Sequence, residues 1–103
     1  MASSFSYKLV GEVYPLTFDF SQVMQYGEYA VSATNNVIVM DGVDPNPTNI
    51  LKSNPIVNQL LVTQQIQNGL SNVTYRVILT VTSTQNNVYI GTGDITVYDP
   101  SLV

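Results

Sequence analysis

Alternation of apolar and polar side chains between Thr74 and Ser83 constrains the fold of this chain more than any other feature. Tyrosine, valine and leucine occupy every second position, threonine and arginine fill most positions between them, and only Ile78 is out of step. A period of two residues is typical of a β-strand with one buried face. The same alternation recurs at 16–20 and at 29–34. These segments predict an all-β fold.

A further strand is predicted near the C-terminus, where two glycines interrupt an apolar pattern. The apolar pairs at 88/90 and 95/97 lie on either side of Gly91-Thr92-Gly93. Glycine inside a strand pattern usually marks a bulge or a bend. We therefore expect this strand to be bent or bulged at its glycines.

Turn-forming residues separate the predicted strands. Tyr26-Gly27-Glu28 separates the first two strands, and Asn68-Gly69 and Gln85-Asn86-Asn87 are typical of tight turns, the latter joining two strands as a hairpin. The longest loop is predicted at 41–49, where two prolines cannot donate hydrogen bonds to a sheet. Short strands between frequent turns predict a sandwich or a barrel, and 103 residues are the length of one domain.

The segment between Asn54-Pro55 and Asn68-Gly69 fits two structures. These flanks are typical of the two ends of a helix. As a strand, the segment would place Val62 and Ile66 on one face, with Gln64 awkwardly between them. The pattern alone leaves both structures open, and the many β-branched residues favour the strand.

The charge content excludes one class of partner. Charged residues make up 10% of the chain, the net charge is −4, and Lys8, Lys52 and Arg76 are the only cations. Three scattered cations cannot form the basic face that binding to phosphates requires. The start of the chain lacks the apolar core of a secretory signal, and no run approaches the roughly 18 apolar residues of a membrane span. We expect neither nucleic acid nor membrane as a partner.

Chemically reactive side chains are scarce. Histidine and cysteine are absent, which removes the commonest general base, the ordinary nucleophilic triads, thiolate metal sites and disulfides. Seven carboxylates remain, and no motif pairs two of them across a cleft as a glycosidase requires. We expect no enzyme activity, no catalytic residue and no cofactor.

One loop has the residue types of a cation site. Asp41, Asp44 and Asn46 could supply oxygen ligands to calcium, although their spacing does not match the EF-hand loop. Aspartate, glycine, proline and asparagine are also the ordinary residues of turns. We favour the turn, and expect no metal site.

The chain has seven tyrosines, whose rings could form a sugar-binding surface. Tyr89 and Tyr98, expected on the outward side of the last strands, are the best candidates for a platform that stacks on sugars. Tyr29 and Tyr75 are expected in the core. A carbohydrate-binding β-sandwich module is therefore the alternative function.

Four groups of motifs follow one another in an order that is similar to a known family. They are the alternating strand Leu16–Ser21 with the turn Tyr26–Glu28, the Ser-Ala-Thr strand Val31–Thr34, the turn and tyrosine-led strand within Ile66–Ser83, and the last turn and strand within Gln85–Tyr98. From Leu16 onward the chain resembles small immunoglobulin-like virion proteins of tailed bacteriophages, of the fibre–tail adaptor and head-decoration kinds. It departs from them in a longer stretch at 41–54 and in lacking a second glycine at 70–73.

The resemblance implies a fold and a role. The fold is a single immunoglobulin-like β-sandwich of about seven short antiparallel strands over 13–98, with an N-terminal arm at 1–12 and a C-terminal tail at 99–103. It also favours strand at 56–67. The role is that of a non-enzymatic virion structural protein, assembled in the host cytoplasm as a fibre–tail adaptor or capsid decoration. The implied partners are the major capsid protein, tail or fibre subunits, and further copies of the chain, as a trimer if lattice and fibre symmetry is followed.

Two segments are candidates for contact with these partners. The arm could pair with the exposed sheet edge of a neighbour, and the 41–54 loop could form a second contact. The candidate contact residues are Phe5, Tyr7, Leu9, Val43, Pro45 and Pro47. On this hypothesis, removal of the first ten residues abolishes incorporation into particles and leaves the fold intact.

Overall fold

A computed structural model describes residues 2–4 and 7–102, and these residues form two β-sheets and two short 3₁₀ helices. The strands are β1 (Ala2–Ser4), β2 (Lys8–Leu9), β3 (Tyr14–Asp19), β4 (Ala30–Asp41), β5 (Leu51–Asn58), β6 (Leu61–Ile66), β7 (Val73–Ser83) and β8 (Val88–Tyr98). The 3₁₀ helices are Pro47–Ile50 and Pro100–Leu102. None of the helices in the described part of the chain is long and apolar enough to cross a membrane.

The two sheets have five and three strands. In the larger sheet the order is β1-β8-β7-β4, and β2 also pairs with β8; in the smaller sheet the order is β3-β6-β5. All pairs are antiparallel except those of β1 and β2, which run parallel to β8. The all-β sandwich expected from the sequence is confirmed, with these two parallel pairs as a difference.

Strand β7 shows why the alternation predicted the fold so well. Its odd-numbered residues from Val73 to Val81 are buried, and its even-numbered residues, Ile78 among them, are half-exposed. Leu16 and Phe18 of β3 join the same apolar core from the smaller sheet. Burial of one face of each sheet against the other is the driving force of the fold, at about 25 cal/mol for each Å² of apolar surface removed from water.

The glycines of β8 do not make the bulge that the sequence predicts. Strand β7 pairs with β8 without a register shift, from Val73 opposite Val97 to Thr82 opposite Val88. A Cβ atom on Gly91 would lie 2.8 Å from the ring of Phe20 and 3.3 Å from that of Phe18. A side chain is therefore absent at position 91 because the rings of Phe18 in β3 and of Phe20 just after β3 occupy the space that it would need.

The segment between residues 56 and 67 is strand, as favoured, but it forms most of a hairpin rather than one strand. Residues 59 and 60 form the turn between β5 and β6, and Gln59 has a φ of 58°. Pro55 lies within β5, which is an edge strand of its sheet and tolerates a residue without an N–H donor. The helix boundary signals therefore belong to a strand edge and to a turn.

Gln64 of β6 is buried on the inner face of its strand, and its side-chain amide lies against a bulge of β5. This bulge explains how a glutamine fits among the apolar residues of that face. The register of β5 against β6 shifts between Lys52 and Ile56. The Gln64 Nε2 atom lies 3.1 and 3.2 Å from the carbonyl oxygens of Lys52 and Ser53, and its Oε1 atom accepts a hydrogen bond of 2.9 Å from Asn35 Nδ2 of β4. A buried amide is stable only when its donors and acceptor are satisfied, and here it also links the two sheets.

A second bulge changes the orientation of β4. Its pairing with β7 shifts between Ala30 and Ser32, so Val31 is 56% exposed and Tyr29 is 46% exposed. The prediction that Tyr29 lies in the core is wrong. The extra residue in the bulge turns the side chains before it towards the opposite face of the sheet, and Tyr29 therefore faces solvent. Tyr75 lies in the core, with no exposed surface, as expected.

The N-terminal segment lies along its own β8. Residues 2–4 pair with 92–94, and Lys8 and Leu9 pair with the end of β8. Lys8 is buried, and its Nζ donates hydrogen bonds of 2.6 Å to the Asn68 carbonyl and 3.0 Å to the Leu9 carbonyl. Burial lowers the pKa of this ammonium group. Residues 2–4 and 8–9 of the predicted N-terminal arm thus belong to the five-stranded sheet.

Candidate functional site

Three connections lie at one end of the sandwich. The loop 20–29 joins β3 to β4, the turn 59–60 joins β5 to β6, and the turn 84–87 joins β7 to β8. The pairing of Asp19 with Leu61 places the loop 20–29 beside the turn 59–60. The antiparallel pairing of β4, β7 and β8 places the turn 84–87 at the same end. We call residues 20–29, 59–60 and 84–87 the three-loop end.

Backbone hydrogen bonds connect the three loops. The Phe20 amide donates to the Leu60 carbonyl at 2.9 Å. The Thr84 amide donates to the Tyr29 carbonyl at 2.9 Å, and the Tyr29 amide donates to the Thr84 hydroxyl at 3.2 Å. The loops therefore hold one another in place, which is what a preorganised recognition surface requires.

A buried carboxylate lies at the centre of this end. Glu28 is 1% exposed. Its Oε1 accepts hydrogen bonds from the Gln25 amide and the Tyr89 hydroxyl, both at 2.8 Å. Its Oε2 accepts hydrogen bonds from the Ser83 hydroxyl and, at 2.9 Å, from Asn87 Nδ2. All four donors are uncharged, and they come from the first loop, from β7, from the last turn and from β8.

These hydrogen bonds change the acidity of the groups involved. They lower the pKa of Glu28 from 4.5 to about 2, with the Ser83 hydroxyl as the largest contribution. The bond to Glu28 raises the pKa of the Tyr89 hydroxyl. Glu28 is therefore a fixed anion over the whole neutral range, and its role is to hold the loop rather than to exchange protons.

A depression opens between the loop 20–29 and the turn 59–60, and its volume is about 400 Å³. Tyr26 has a fully exposed side chain and Tyr29 is 46% exposed, whereas Met24 is buried. The lining residues are Ser21, Met24, Gln25, Tyr26, Gly27, Glu28, Tyr29 and Leu60. The site combines exposed aromatic rings, an apolar floor and uncharged polar groups.

Asp44 and Asn46, two of the three candidates for a cation site, make the hydrogen bonds of a turn, as favoured from the sequence. Asp44 Oδ1 accepts a hydrogen bond of 2.9 Å from the Asn46 amide, and Asp44 Oδ2 accepts one of 2.6 Å from the Tyr75 hydroxyl. Asp41 lies at the end of β4. Among the residues that the structure describes, no three acidic side chains gather into a group that could hold a metal ion.

Tyr75 anchors the end of the sandwich opposite the three-loop end. Its hydroxyl donates to Asp44 and accepts a hydrogen bond of 2.9 Å from the Leu70 amide. Burial and the bond to Asp44 raise the pKa of Tyr75 to about 12. This hydroxyl is a structural clamp on two loops and stays protonated in the neutral range.

The predicted partner-contact residues that the structure describes lie at that same opposite end, on two different segments of the chain. Tyr7 is 51% exposed and packs edge-on against Tyr98, with ring centroids 5.7 Å apart, and Leu9 is half-buried in β2. Val43 is 81% exposed and follows β4. Strands β7 and β8 lie between β2 and β4 in the sheet order, and Asn68 links the two regions, since its carbonyl accepts a hydrogen bond from Lys8 and its side chain donates one to the Asn49 carbonyl.

The two proline contact candidates lie between β4 and β5. Pro45 is exposed in the loop after β4, and Pro47 is half-buried at the first position of a 3₁₀ helix. Phe5 lies outside the described residues. The predicted loop 41–49 is shorter than expected, because β4 extends to Asp41 and the helix begins at Pro47.

The predicted sugar platform does not form. Tyr89 and Tyr98 are nine residues apart in one uninterrupted strand, so they point to opposite faces of the sheet. Tyr89 faces inward and bonds to Glu28, whereas Tyr98 contacts Tyr7. The sequence indicated the turn at Tyr26–Glu28, but gave no signal that its glutamate is buried or that its tyrosine lines a depression.

The outer face of the five-stranded sheet is a second broad surface. Isoleucines alternate with threonines across its strands, with Thr80 opposite Ile90 and Ile78 opposite Thr92. Ile38 is 43% exposed and Ile90 is 54% exposed. We call the even-numbered residues 32–40, 74–82 and 88–98 the outer face.

The two charges on the outer face neutralise one another. Arg76 donates hydrogen bonds of 2.7 and 3.0 Å to the two carboxylate oxygens of Asp94 on the neighbouring strand. This pairing lowers the pKa of Asp94 and raises that of Arg76. Both side chains are more than a third exposed, so the pair contributes little to stability, but it leaves the face without net charge.

Comparisons with known proteins identify no family. No protein-family model matches the chain, and no curated protein matches it. Among solved structures, the chain is similar to a 2,6-sialyltransferase of Photobacterium sp. JT-ISH-224 in complex with CMP and lactose, at 10% identity and a TM-score of 0.47. The match covers 97% of this chain and 18% of the enzyme, so the chain spans less than a fifth of the enzyme's length. A likeness at this level carries no argument about function.

Proposed function

We propose that the chain is a non-enzymatic structural protein of a tailed-bacteriophage particle. It is an immunoglobulin-like sandwich that binds other capsid or tail subunits as a fibre–tail adaptor or as a capsid decoration. The order of motifs from Leu16 onward supports this class. The observation that carries the proposal is the outer face, which is broad, partly apolar and without net charge.

The outer face has the composition of a protein-binding surface. Interface centres are depleted of charged residues, and exposed apolar patches on a protein surface mark contact sites. Ile38 and Val88, at 43% and 60% exposed, lie on this face, and their β-branched side chains are already restricted in rotation. Little side-chain entropy is therefore lost when a partner covers them.

The proposal includes no catalysis. Glu28 is held by four donors, and Asp44 by Tyr75 and Asn46. A general acid or base needs a proton that it can exchange with a substrate, and these carboxylates are engaged in holding loops. The proposed partners are the major capsid protein, tail or fibre subunits and further copies of this chain.

Quantitative mass spectrometry of purified particles tests the proposal. The copy number of this chain is measured against that of the major coat protein. A number close to that of the coat protein indicates decoration of the lattice, and a small multiple that matches the symmetry of the tail indicates an adaptor. Absence of the chain from clean particles would contradict the virion role.

A pair of matched variants then tests the outer face. Ile38→Lys places a charge on it, and Ile56→Lys places the same charge on the exposed face of β5, where Ile56 is 62% exposed. We expect particles to contain far less of the Ile38→Lys chain and a normal amount of the Ile56→Lys chain. Equal incorporation of both variants would show that the outer face is not the contact.

A further inference from the structure

The size of the depression at the three-loop end fits a compact ligand. Its volume of about 400 Å³ lies in the range of small-molecule sites, about 300–1,000 Å³. Eight residues line it, whereas a stable protein interface takes about 20–30 residues from each side. The depression is therefore better matched to a small ligand than to the face of another subunit.

The charge of this end restricts the ligand further. Residues 20–29, 59–60 and 84–87 include no lysine or arginine, and Glu28 is the one carboxylate among them. Each of the two carboxylate oxygens of Glu28 accepts two hydrogen bonds from the protein. An anionic ligand would find no cation in these loops, and a cationic ligand would find no open carboxylate, so the site suits a neutral ligand.

The lining supplies the two kinds of contact that a sugar ring makes. Tyr26 and Tyr29 provide aromatic faces, whose negative charge attracts the polarised C–H bonds of a pyranose. Ser21 and Gln25 provide hydroxyl and amide groups that can bond to its hydroxyls. Met24 and Leu60 form an apolar floor.

The tyrosines stand on a rigid support. Residues Gln25 and Tyr29 flank the exposed Tyr26, and hydrogen bonds to Glu28 and to Thr84 fix them. An aromatic side chain on a fixed backbone loses little conformational freedom on binding. A ligand that stacks on these tyrosines would therefore meet a loop that needs little further ordering.

We propose that the three-loop end binds a neutral saccharide, with Tyr26 and Tyr29 as the stacking residues and Glu28 as the positioning residue of the loop. The proposal does not depend on the virion role, since it uses a different surface. It moves the predicted sugar site from the last strands to the loop between β3 and β4.

Chemical-shift mapping by NMR on the full chain tests the proposal. The probes are maltotriose, cellotriose, mannobiose, galactobiose and chitotriose, each at millimolar concentration, with an anionic disaccharide of glucuronic acid as a charge control. We expect at least one neutral probe to shift the amide signals of residues 21–29 and 59–60, and the anionic disaccharide to bind more weakly. If none of the neutral probes binds, or if the shifts map to another surface, the proposal fails.

Variants assign the binding to the tyrosines. Tyr26→Ala and Tyr29→Ala are each expected to weaken binding about tenfold, whereas Tyr26→Phe, which retains the ring, is expected to stay within about threefold of the natural chain. Tyr7→Ala is the matched control, because Tyr7 is an exposed tyrosine at the opposite end. Unchanged affinity in both Tyr26→Ala and Tyr29→Ala would overturn the assignment.

Discussion

At the scale of single residues, Glu28 shows how a carboxylate becomes structural. It is buried, and a backbone amide, two hydroxyls and a carboxamide satisfy it. Each of these donors favours the ionised form, which is why its pKa falls to about 2. Removal of the charge would weaken or break hydrogen bonds from four parts of the chain, namely the first loop, β7, the last turn and β8.

This arrangement predicts a dependence of stability on pH. The pKa of Glu28 is about 2 in the folded chain and near 4.5 when the group is free, so the unfolded state binds the proton more tightly. Its stabilisation is complete above pH 4.5 and is lost as pH falls from about 4.5 towards about 2. We expect Glu28→Gln to lower the Tm by several degrees at pH 7, and the difference from the natural chain to shrink across this window.

Differential scanning calorimetry at a series of pH values measures both effects. Glu12→Gln is the control, since Glu12 is exposed and accepts one hydrogen bond, from the Leu9 amide at 2.7 Å. A difference between Glu28→Gln and the natural chain that stays constant down to pH 2 would contradict the assignment of a structural anion.

At the scale of elements, the N-terminal segment is a part of the sheet that the sequence does not reveal. Its residues lack a long alternating pattern, and pairing with β8 depends on a register that only the tertiary structure sets. Lys8 is buried, although lysine is a residue type that usually marks the surface. The alternation of β3 and β7 was visible because those strands separate a core from a surface.

Deletion of residues 1–9 is therefore expected to destabilise the fold, against the sequence-based hypothesis that the fold stays intact. It removes β1, β2 and the hydrogen bonds of Lys8 to the carbonyls of Leu9 and Asn68. At about 0.5–1.5 kcal/mol for each net hydrogen bond, we expect the free energy of unfolding to fall by about 2–4 kcal/mol. Urea unfolding measures this change.

The deletion also exposes the edge of β8 that β1 and β2 cover, so self-association of the shortened chain is a second measurement. An unpaired strand edge is a template for other chains, so we expect the shortened chain to associate at higher concentration in size-exclusion chromatography. Lys8→Met is the matched variant, because it retains both strands and replaces only the buried ammonium group. A shortened chain that is as stable and as monomeric as the Lys8→Met chain would show that pairing with β8 contributes nothing.

At the scale of the whole molecule, the spacing of the two sheets depends on Gly91. The inner faces of a sandwich pack about 10 Å apart, and here the rings of Phe18 and Phe20 fill that distance above a residue without a side chain. The sequence pattern identified the glycines as special, but assigned them to a bulge. A glycine opposite a large ring and a glycine at a bulge look the same in one sequence, because the partner lies some 70 residues away in the other sheet.

Gly91→Ala separates these two explanations. The new Cβ would lie 2.8 Å from the Phe20 ring, which is fully buried and has no solvent to move into, so we expect a loss of about 1–3 kcal/mol in the free energy of unfolding. Phe20→Leu alone costs stability through the cavity that it leaves. In that background, however, Gly91→Ala should cost at least about 0.5 kcal/mol less, because the contact is relieved. Urea unfolding of the four chains, at equal m-values, measures the coupling; additive costs would mean that Gly91 is needed for its backbone and not for the space that Phe20 occupies.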